Sequence, residues 1–194
     1  MEIGATKAVQ DRLKTTKIEE SKGASLVFCW DTHLTKIKGR NVLFIVNASN
    51  RYTIAMTDIE PRNWNYYTMY IRSVIHGVMQ EMGYSEDQIR KYFKMSGDTT
   101  VTKTHGRKSV GGINRMVMDA QYFGKKLEKE AKYQWELSEY LNRDICQPEG
   151  FDTYGYPSEL FKLDMERLGI AAKRKPAKII DFTKYIDTNR STNH

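Results

Sequence analysis

The stretch that decides the fold is residues 26–57, LVFCWDTHLTKIKGRNVLFIVNASNRYTIAMT. Its centre, residues 42–46, is an uninterrupted run of apolar strand formers, which is typical of a strand covered on both faces. A tight turn at Gly39 precedes this run, and a cluster of turn formers at 47–50 follows it. Residues 51–56 then alternate polar and apolar side chains, as a half-buried strand does. The pattern predicts a three-stranded antiparallel meander with residues 42–46 in the middle of the sheet.

Helical periodicity marks much of the chain outside the meander. Residues 5–13 predict a short first helix, and residues 63–82 predict a longer one whose broad apolar face packs on the sheet. Ser85 and Gln88 have the spacing of a capping box and open a further helix. The β-branched residues 99–104 predict a fourth strand, and Ser109 is predicted to cap the helix that follows it.

The composition changes at Gly124. Residues 125–139 are highly charged with a line of apolar side chains, which predicts a helix, and residues 158–168 predict another. We therefore predict an α+β fold, in which an antiparallel sheet of about four strands is packed with helices and followed by a helical C-terminal extension. Residues 1–123 are the expected α+β domain, which should fold alone, and residues 124–194 are the expected helical extension with a basic tail.

The charge of the chain narrows the range of its partners. Its 194 residues carry a formal net charge of +7, and a basic surplus attracts polyanions, most often nucleic acid. The same surplus also occurs in proteins that bind acidic protein surfaces. No apolar run approaches the roughly 20 residues that a membrane helix needs, and the first residues lack the apolar centre of a signal peptide. We therefore expect a cytoplasmic protein without a membrane partner.

Two basic clusters are the candidate nucleic-acid-binding sites. Residues 103–109, KTHGRKS, form a basic turn directly before a predicted helix, where free backbone N–H groups favour a phosphate. The second cluster lies in the C-terminal tail, and basic tails contact nucleic acid without reading its sequence. A solvated loop and a solvated tail remain the alternative interpretations. The residues predicted to contact RNA phosphates are Lys103, Arg107, Lys108, Arg115, Lys173, Arg174 and Lys175.

Two histidines are the candidate catalytic residues. Asp31 and His33 point to one face of their strand because strand side chains alternate, and an Asp–His pair can orient an imidazole for general acid–base chemistry. A polar pair beside a core tryptophan is the alternative. Cleavage of RNA by its own 2′-OH would need a histidine base and a nearby cation. His33 or His105 would be that base, and Lys103 or Arg107 would be the cation.

Neither a cofactor nor a metal site is expected from the sequence. Cys29 and Cys146 lie in different predicted elements, do not form a metal motif and are expected to be two buried thiols. The sequence has no zinc-binding, EF-hand or P-loop pattern, and its paired glycines do not form a dinucleotide-binding fingerprint.

Several short motifs, taken in order, resemble those of a bacterial domain family of unassigned function. Family members commonly have Trp-His-Ala-Asn-Leu where residues 30–34 read WDTHL, and they have Arg directly before Ser where Lys108 intervenes. These departures weaken the transfer of a histidine or arginine role from the family. The resemblance covers roughly residues 3–123, and its motifs are Ala5-Thr6-Lys7, Trp30 with His33, Asn50-Arg51-Tyr52, Lys103-Thr104 with Arg107 and Lys108-Ser109, and Asn114.

The size, charge and layout of the chain are also similar to those of plasmid- or phage-borne anti-CRISPR proteins that act on type II guide RNA and Cas9. This similarity implies an inhibitor that binds RNA or an RNA–protein complex, namely guide RNA with Cas9, and it raises guide-RNA cleavage as an extension. Two other classes stay open. One is a non-enzymatic protein-interaction module of a mobile element, whose charge meets an acidic partner surface. The other is a toxin–antitoxin or stress-related component.

Overall fold

A computed structural model of the protein describes residues 1–15 and 18–173, and within these ranges no helix is long and apolar enough to cross a membrane. The described strands are β1 (Glu2–Ala5), β2 (Cys29–Ile37), β3 (Arg40–Asn47), β4 (Thr53–Thr57) and β5 (Thr100–Thr102). The described helices are α1 (Lys7–Leu13), α2 (Pro61–Asn65), α3 (Tyr67–Glu81), α4 (Glu86–Ser96), α5 (Arg107–Gln121), α6 (Trp135–Asn142) and α7 (Pro157–Arg167). The predicted combination of strands and helices is confirmed.

The strands form one mixed sheet in the order β4-β3-β2-β1-β5. The predicted meander is confirmed as β2, β3 and β4, and β3 lies inside the sheet. β1 runs parallel to both of its neighbours, β2 and β5. The sheet is therefore mixed rather than antiparallel, and it has five described strands rather than four. The prediction missed β1, because four residues containing a glutamate and a glycine have little strand propensity of their own.

Helices cover both faces of the sheet. On one face α1, α2, α3, α4 and α7 enclose a core built around Trp30, Leu43 and Ile45. On the other face α5 and α6 pack against a second core that contains Val42 and Phe44. Side chains of β3 alternate between these two cores, which is why the strand is apolar at every position from residue 42 to residue 46.

The helix predicted over residues 63–82 is two helices. α2 and α3 meet at Tyr66, whose φ of −114° and ψ of 40° leave the helical region. The capping box that opens α4 is confirmed, since the Ser85 hydroxyl accepts from Gln88 N–H and the Gln88 side chain accepts from Ser85 N–H.

The start of α5 differs from the prediction. Ser109 does not cap this helix; the N-cap residue is Gly106, whose φ of 92° suits a residue without a side chain. Ser109 lies in the first turn instead, and its hydroxyl is free to bond elsewhere. This difference matters for the site described below.

The sequence predicts a helix over residues 125–139, but α6 begins only at Trp135 and residues 125–134 are not helical. The segment runs along the outer strand β4. Thr57 N–H donates to the Lys132 carbonyl at 2.7 Å, and Gln134 N–H donates to the Ala55 carbonyl at 2.9 Å. An edge strand presents unpaired backbone groups. Pairing with those groups determines the conformation of this charged segment, despite its helical pattern.

The part of the chain after residue 124 contributes to both cores. Leu137 and Leu141 of α6 are buried in the α5 layer. Phe161 of α7 is 1% exposed and packs in the opposite core, with its ring centroid 6.2 Å from that of Trp30. That residues 1–123 fold alone stays a prediction. Because the later helices contact both cores, removing them from the chain tests it directly.

Candidate functional site

The loop before α5 covers a group of buried polar side chains on the sheet. Along β1 and β2, Ile3 and Trp30 enter the core on the α3 side. Because strand side chains alternate, Glu2 and Asp31 lie on the α5 side. Glu2 is opposite Cys29 and Gly4 is opposite Asp31, so the two carboxylates lie two positions apart on neighbouring parallel strands. His105, in the connection from β5 to α5, contacts both of them.

His105 lies between two carboxylates. Its Nδ1 is 2.7 Å from Asp31 Oδ1, and its Nε2 is 3.0 Å from Glu2 Oε2. The three side chains are almost sealed from solvent, with 2% exposure for His105, 0% for Asp31 and 5% for Glu2. We call Glu2, Asp31 and His105 the carboxylate–histidine network. It joins β1, β2 and the α5 loop, which are far apart in sequence.

Each carboxylate of the network has further donors. Asp31 accepts from the His105 backbone N–H at 3.2 Å and from the Ser109 hydroxyl in the first turn of α5. Glu2 accepts from the Ser21 hydroxyl at 2.6 Å and from the Lys22 N–H at 2.8 Å. The anion at the start of α5 is thus the protein's own Asp31, and a bound phosphate would have to use other groups.

The charges of the network follow from these contacts. Burial lowers the pKa of His105, but hydrogen bonds and charge interactions with Asp31 and Cys29 outweigh it and raise the pKa to about 10. For Glu2, burial raises the pKa, but the hydrogen bonds from Ser21, Lys22 and His105 bring it below its usual value. At neutral pH the imidazole is therefore an imidazolium whose two N–H groups are both donated to carboxylates. A general base needs a free ring nitrogen, which this state does not provide.

Gly4 allows the network to form. A side-chain Cβ at this position would lie 1.9 Å from Asp31 Oδ1 and 3.0 Å from the Thr104 Cα. Both neighbours are fixed, one by the network and the other by the backbone of the loop. Only glycine leaves space for the buried carboxylate here.

His33 is not the partner of Asp31, although both side chains were expected on one face. Its Nδ1 lies 3.2 Å from Thr6 Oγ1 at the start of α1. The ring is partly buried, and burial lowers the pKa of His33. The two candidate catalytic histidines therefore have separate partners.

The predicted phosphate-binding residues lie at the surface around α5. Lys103 forms an ion pair with Glu20, and Lys108 lies 3.9 Å from Glu149. Within residues 1–15 and 18–173, Arg107 and Arg115 form no ion pair. The structure places Lys173 in an exposed position at the end of the described chain, whereas Arg174 and Lys175 lie outside the described residues.

One surface of α5 combines these cations with exposed larger side chains. Met118 is 63% exposed and Tyr122 is 79% exposed, so the helix presents a continuous strip to solvent. A groove of about 420 Å³ runs beside it. Its lining includes Tyr140 and both signs of charge, namely Arg115, Lys125 and Arg143 together with Asp119, Glu136, Glu139 and Asp144. We call this strip the outer face of α5; its residues are Arg107, Lys108, Gly111, Asn114, Arg115, Met118 and Tyr122.

Two members of the buried group escaped the sequence-based prediction. Glu2 belongs to the strand that was missed, and the sequence alone does not show whether a glutamate is buried or exposed. Cys29 was expected only to be a buried thiol, and its sulfur lies with Glu2 and His105 in a group whose ligand atoms are all within 4.8 Å of one another. No spacing motif marks them, because the three residues come from three distant segments.

Comparison with known proteins gives a family but no activity. No curated protein and no solved structure matches the chain. Residues 2–160 match DUF6933, a domain of unknown function, and this match includes the sheet, α1 to α6, the carboxylate–histidine network and the outer face of α5. Since the match extends over most of the 194 residues, the chain belongs to the DUF6933 family.

Proposed function

We propose that the protein binds RNA through the outer face of α5. The observation that carries this proposal is the combination of Arg107 and Arg115 on one exposed helical surface, neither of them ion-paired within the described part of the chain. Unpaired surface arginines bind phosphates with planar, bidentate hydrogen bonds. The formal net charge of +7 gives the whole molecule the sign that attracts a polyanion.

The dimensions of the outer face suit a nucleic acid strand. Arg107 and Arg115 are separated by eight residues of helix, or about 12 Å along its axis. Beyond them, Tyr122 offers an exposed ring, and aromatic rings bind unpaired bases by stacking with little dependence on sequence. Tyr140 in the adjoining groove is 43% exposed and offers a second ring. Cations followed by accessible rings are typical of surfaces that bind single-stranded segments of structured RNA.

The buried network supports this surface. The Ser109 hydroxyl and the His105 backbone tie the first turn of α5 and the loop before it to Asp31 on the sheet. A loop held in this way loses little conformational freedom on binding, which favours affinity. In this proposal His105 is a positioning residue rather than a catalytic one.

Binding without cleavage is the form of the proposal that the geometry favours. His105 is enclosed and donates from both ring nitrogens, while His33 lies apart from it beside Thr6. The resemblance to anti-CRISPR proteins extends the proposal to guide RNA, held either free or in its Cas9 complex. An inhibitor of that kind needs to occupy the RNA and does not need to cut it.

Salt-dependent RNA binding tests the proposal. We expect the full chain to bind a structured RNA such as a guide RNA, with the logarithm of the association constant falling linearly with the logarithm of salt concentration. The Arg107→Ala, Lys108→Ala, Arg115→Ala triple variant should bind more weakly and reduce this slope by about two to three. Fluorescence anisotropy across a salt series measures both quantities.

A matched control comes from the opposite side of the molecule. Lys7, Arg62 and Arg90 are 81%, 77% and 74% exposed, and they lie in α1, α2 and α4. Replacing these three residues with alanine changes the net charge by as much as the α5 triple variant does. It should change the salt dependence of RNA binding by much less. Equal losses in both triple variants would show charge attraction without a site. Undiminished binding in the α5 variant would contradict the proposal, and binding to an acidic protein instead of RNA would support the interaction-module alternative.

A further inference from the structure

Three side chains of metal-binding type meet beneath the α5 loop. Glu2 comes from β1, Cys29 from the first position of β2 and His105 from the loop, and their ligand atoms all lie within 4.8 Å of one another. Cys29 is fully buried and Glu2 is 4% exposed. Carboxylate oxygen, thiolate sulfur and imidazole nitrogen are the three ligand types that zinc takes from proteins.

The surroundings of the three residues have the arrangement that orients metal ligands. Asp31 binds Nδ1 of His105 at 2.7 Å, which leaves Nε2 directed towards Glu2. A carboxylate on one imidazole nitrogen and a metal on the other is the usual second-layer pattern of histidine ligands. Ser21 and Lys22 hold the Glu2 carboxylate in turn. The supporting hydrogen bonds thus extend to two of the three ligands.

The Cys29 thiol lies among polar groups. Its sulfur is 3.6 Å from the Ala24 carbonyl and 3.5 Å from the Ser25 carbonyl, and it also forms a hydrogen bond with His105. Thiol hydrogen bonds are weak, whereas a thiolate is a strong ligand for a zinc-class cation. A cation bound between the ligands would give this sulfur a strong partner.

We propose that Glu2, Cys29 and His105 bind one zinc-class divalent cation, with Asp31 orienting the imidazole. Zinc takes histidine as the neutral imidazole and cysteine as the thiolate, so binding would release protons and the affinity for the metal would fall at low pH. One imidazole nitrogen, one carboxylate oxygen and one thiolate sulfur make a ligand set that favours zinc over magnesium or calcium, which take oxygen ligands.

Such an ion would act as a structural tie. It would join β1, β2 and the α5 loop, and metal binding to a site assembled from distant segments stabilises the folded state. This inference stands independently of RNA binding, because its tests are metal content and coordination.

Cobalt serves as the spectroscopic probe for this site. The full chain, freed of metal with a chelator under reducing conditions, should bind one Co²⁺ with a thiolate-to-cobalt charge-transfer absorption, and added Zn²⁺ should displace it. Cys29→Ser should abolish that absorption. Cys146→Ser is the matched control, because Cys146 is the other buried thiol and lies outside the ligand group, so its variant should keep the absorption.

X-ray absorption of the zinc-loaded wild-type chain gives a reading that does not depend on the folding of any variant. It should show one sulfur at about 2.3 Å and nitrogen or oxygen ligands at about 2.0–2.2 Å. Zinc should also raise the melting temperature of the wild-type chain. A cobalt spectrum without a thiolate band, loss of the band in Cys146→Ser, or a zinc shell without sulfur would each overturn the proposal.

Discussion

Replacing Asp31 with alanine is expected to lower the free energy of unfolding by about 3–5 kcal/mol, the usual cost of removing one partner from a buried ion pair. The carboxylate is fully buried and accepts from the His105 ring, the His105 backbone and the Ser109 hydroxyl. Without it, three donors lose their acceptor inside the protein. Urea denaturation followed by circular dichroism measures the change.

Asp11→Ala is the matched control for this substitution. Asp11 is 61% exposed and forms an i,i+4 ion pair with Lys7 on α1, so its loss should change stability by less than about 0.5 kcal/mol. Equal effects of the two substitutions would mean that the carboxylate–histidine network does not hold the α5 loop to the sheet.

Replacing Phe161 with alanine should cost about 3–5 kcal/mol, because the ring fills a closed part of the core on the α3 side. It packs against Trp30, and against Tyr52 at a centroid distance of 5.1 Å. Leu163 on the same helix is 37% exposed, and its replacement with alanine should cost much less. Thermal or urea unfolding of the two variants gives the comparison.

Truncation after residue 124 extends this prediction to the whole C-terminal segment. The cut removes Leu137 and Leu141 from one core and Phe161 from the other. We expect the shortened chain to lose its cooperative unfolding transition, which is the opposite of the independent folding expected from the sequence. A cooperative transition in the shortened chain would support the division at residue 123 and show that the later helices only cover a finished core.

The meander could be predicted because the residues that determine it are close together in the sequence. Turn formers bracket residues 42–46, and a strand with apolar side chains at every position must be covered on both faces. The capping box at Ser85 is local in the same way. Strand β1 could not be found by this reasoning, because parallel pairing with β2 and β5 gives it an extended conformation that its four residues do not encode.

The sequence identified individual residues of the candidate site, but it did not show which of those residues contact each other. Asp31 and His105 were each identified, yet strand alternation assigned Asp31 to His33, its neighbour two positions along. The true pairing needs the crossover that brings the β5–α5 loop over β1 and β2. Such long-range contacts depend on the order of strands in the sheet, and no local pattern reports that order.

The outer face of α5 shows a different limit of sequence-based reasoning. Arg107 and Arg115 were identified as cations of a basic region, but the sequence does not show which surface cations are neutralised by neighbours. In the structure Lys103 has Glu20 as its partner. Exposure and pairing together single out the arginines, and they make the helix rather than the whole basic loop the proposed contact surface.

Photo-crosslinking of the full chain to a bound structured RNA, with the crosslinked peptides identified by mass spectrometry, tests the central claim most directly. The exposed ring of Tyr122 is a suitable crosslinking group at the end of the outer face of α5. We predict that crosslinked nucleotides map to peptides within residues 107–122. Crosslinks confined to α1, α2 and α4 on the opposite side of the sheet, or no crosslink under conditions in which the RNA is bound, would contradict the account.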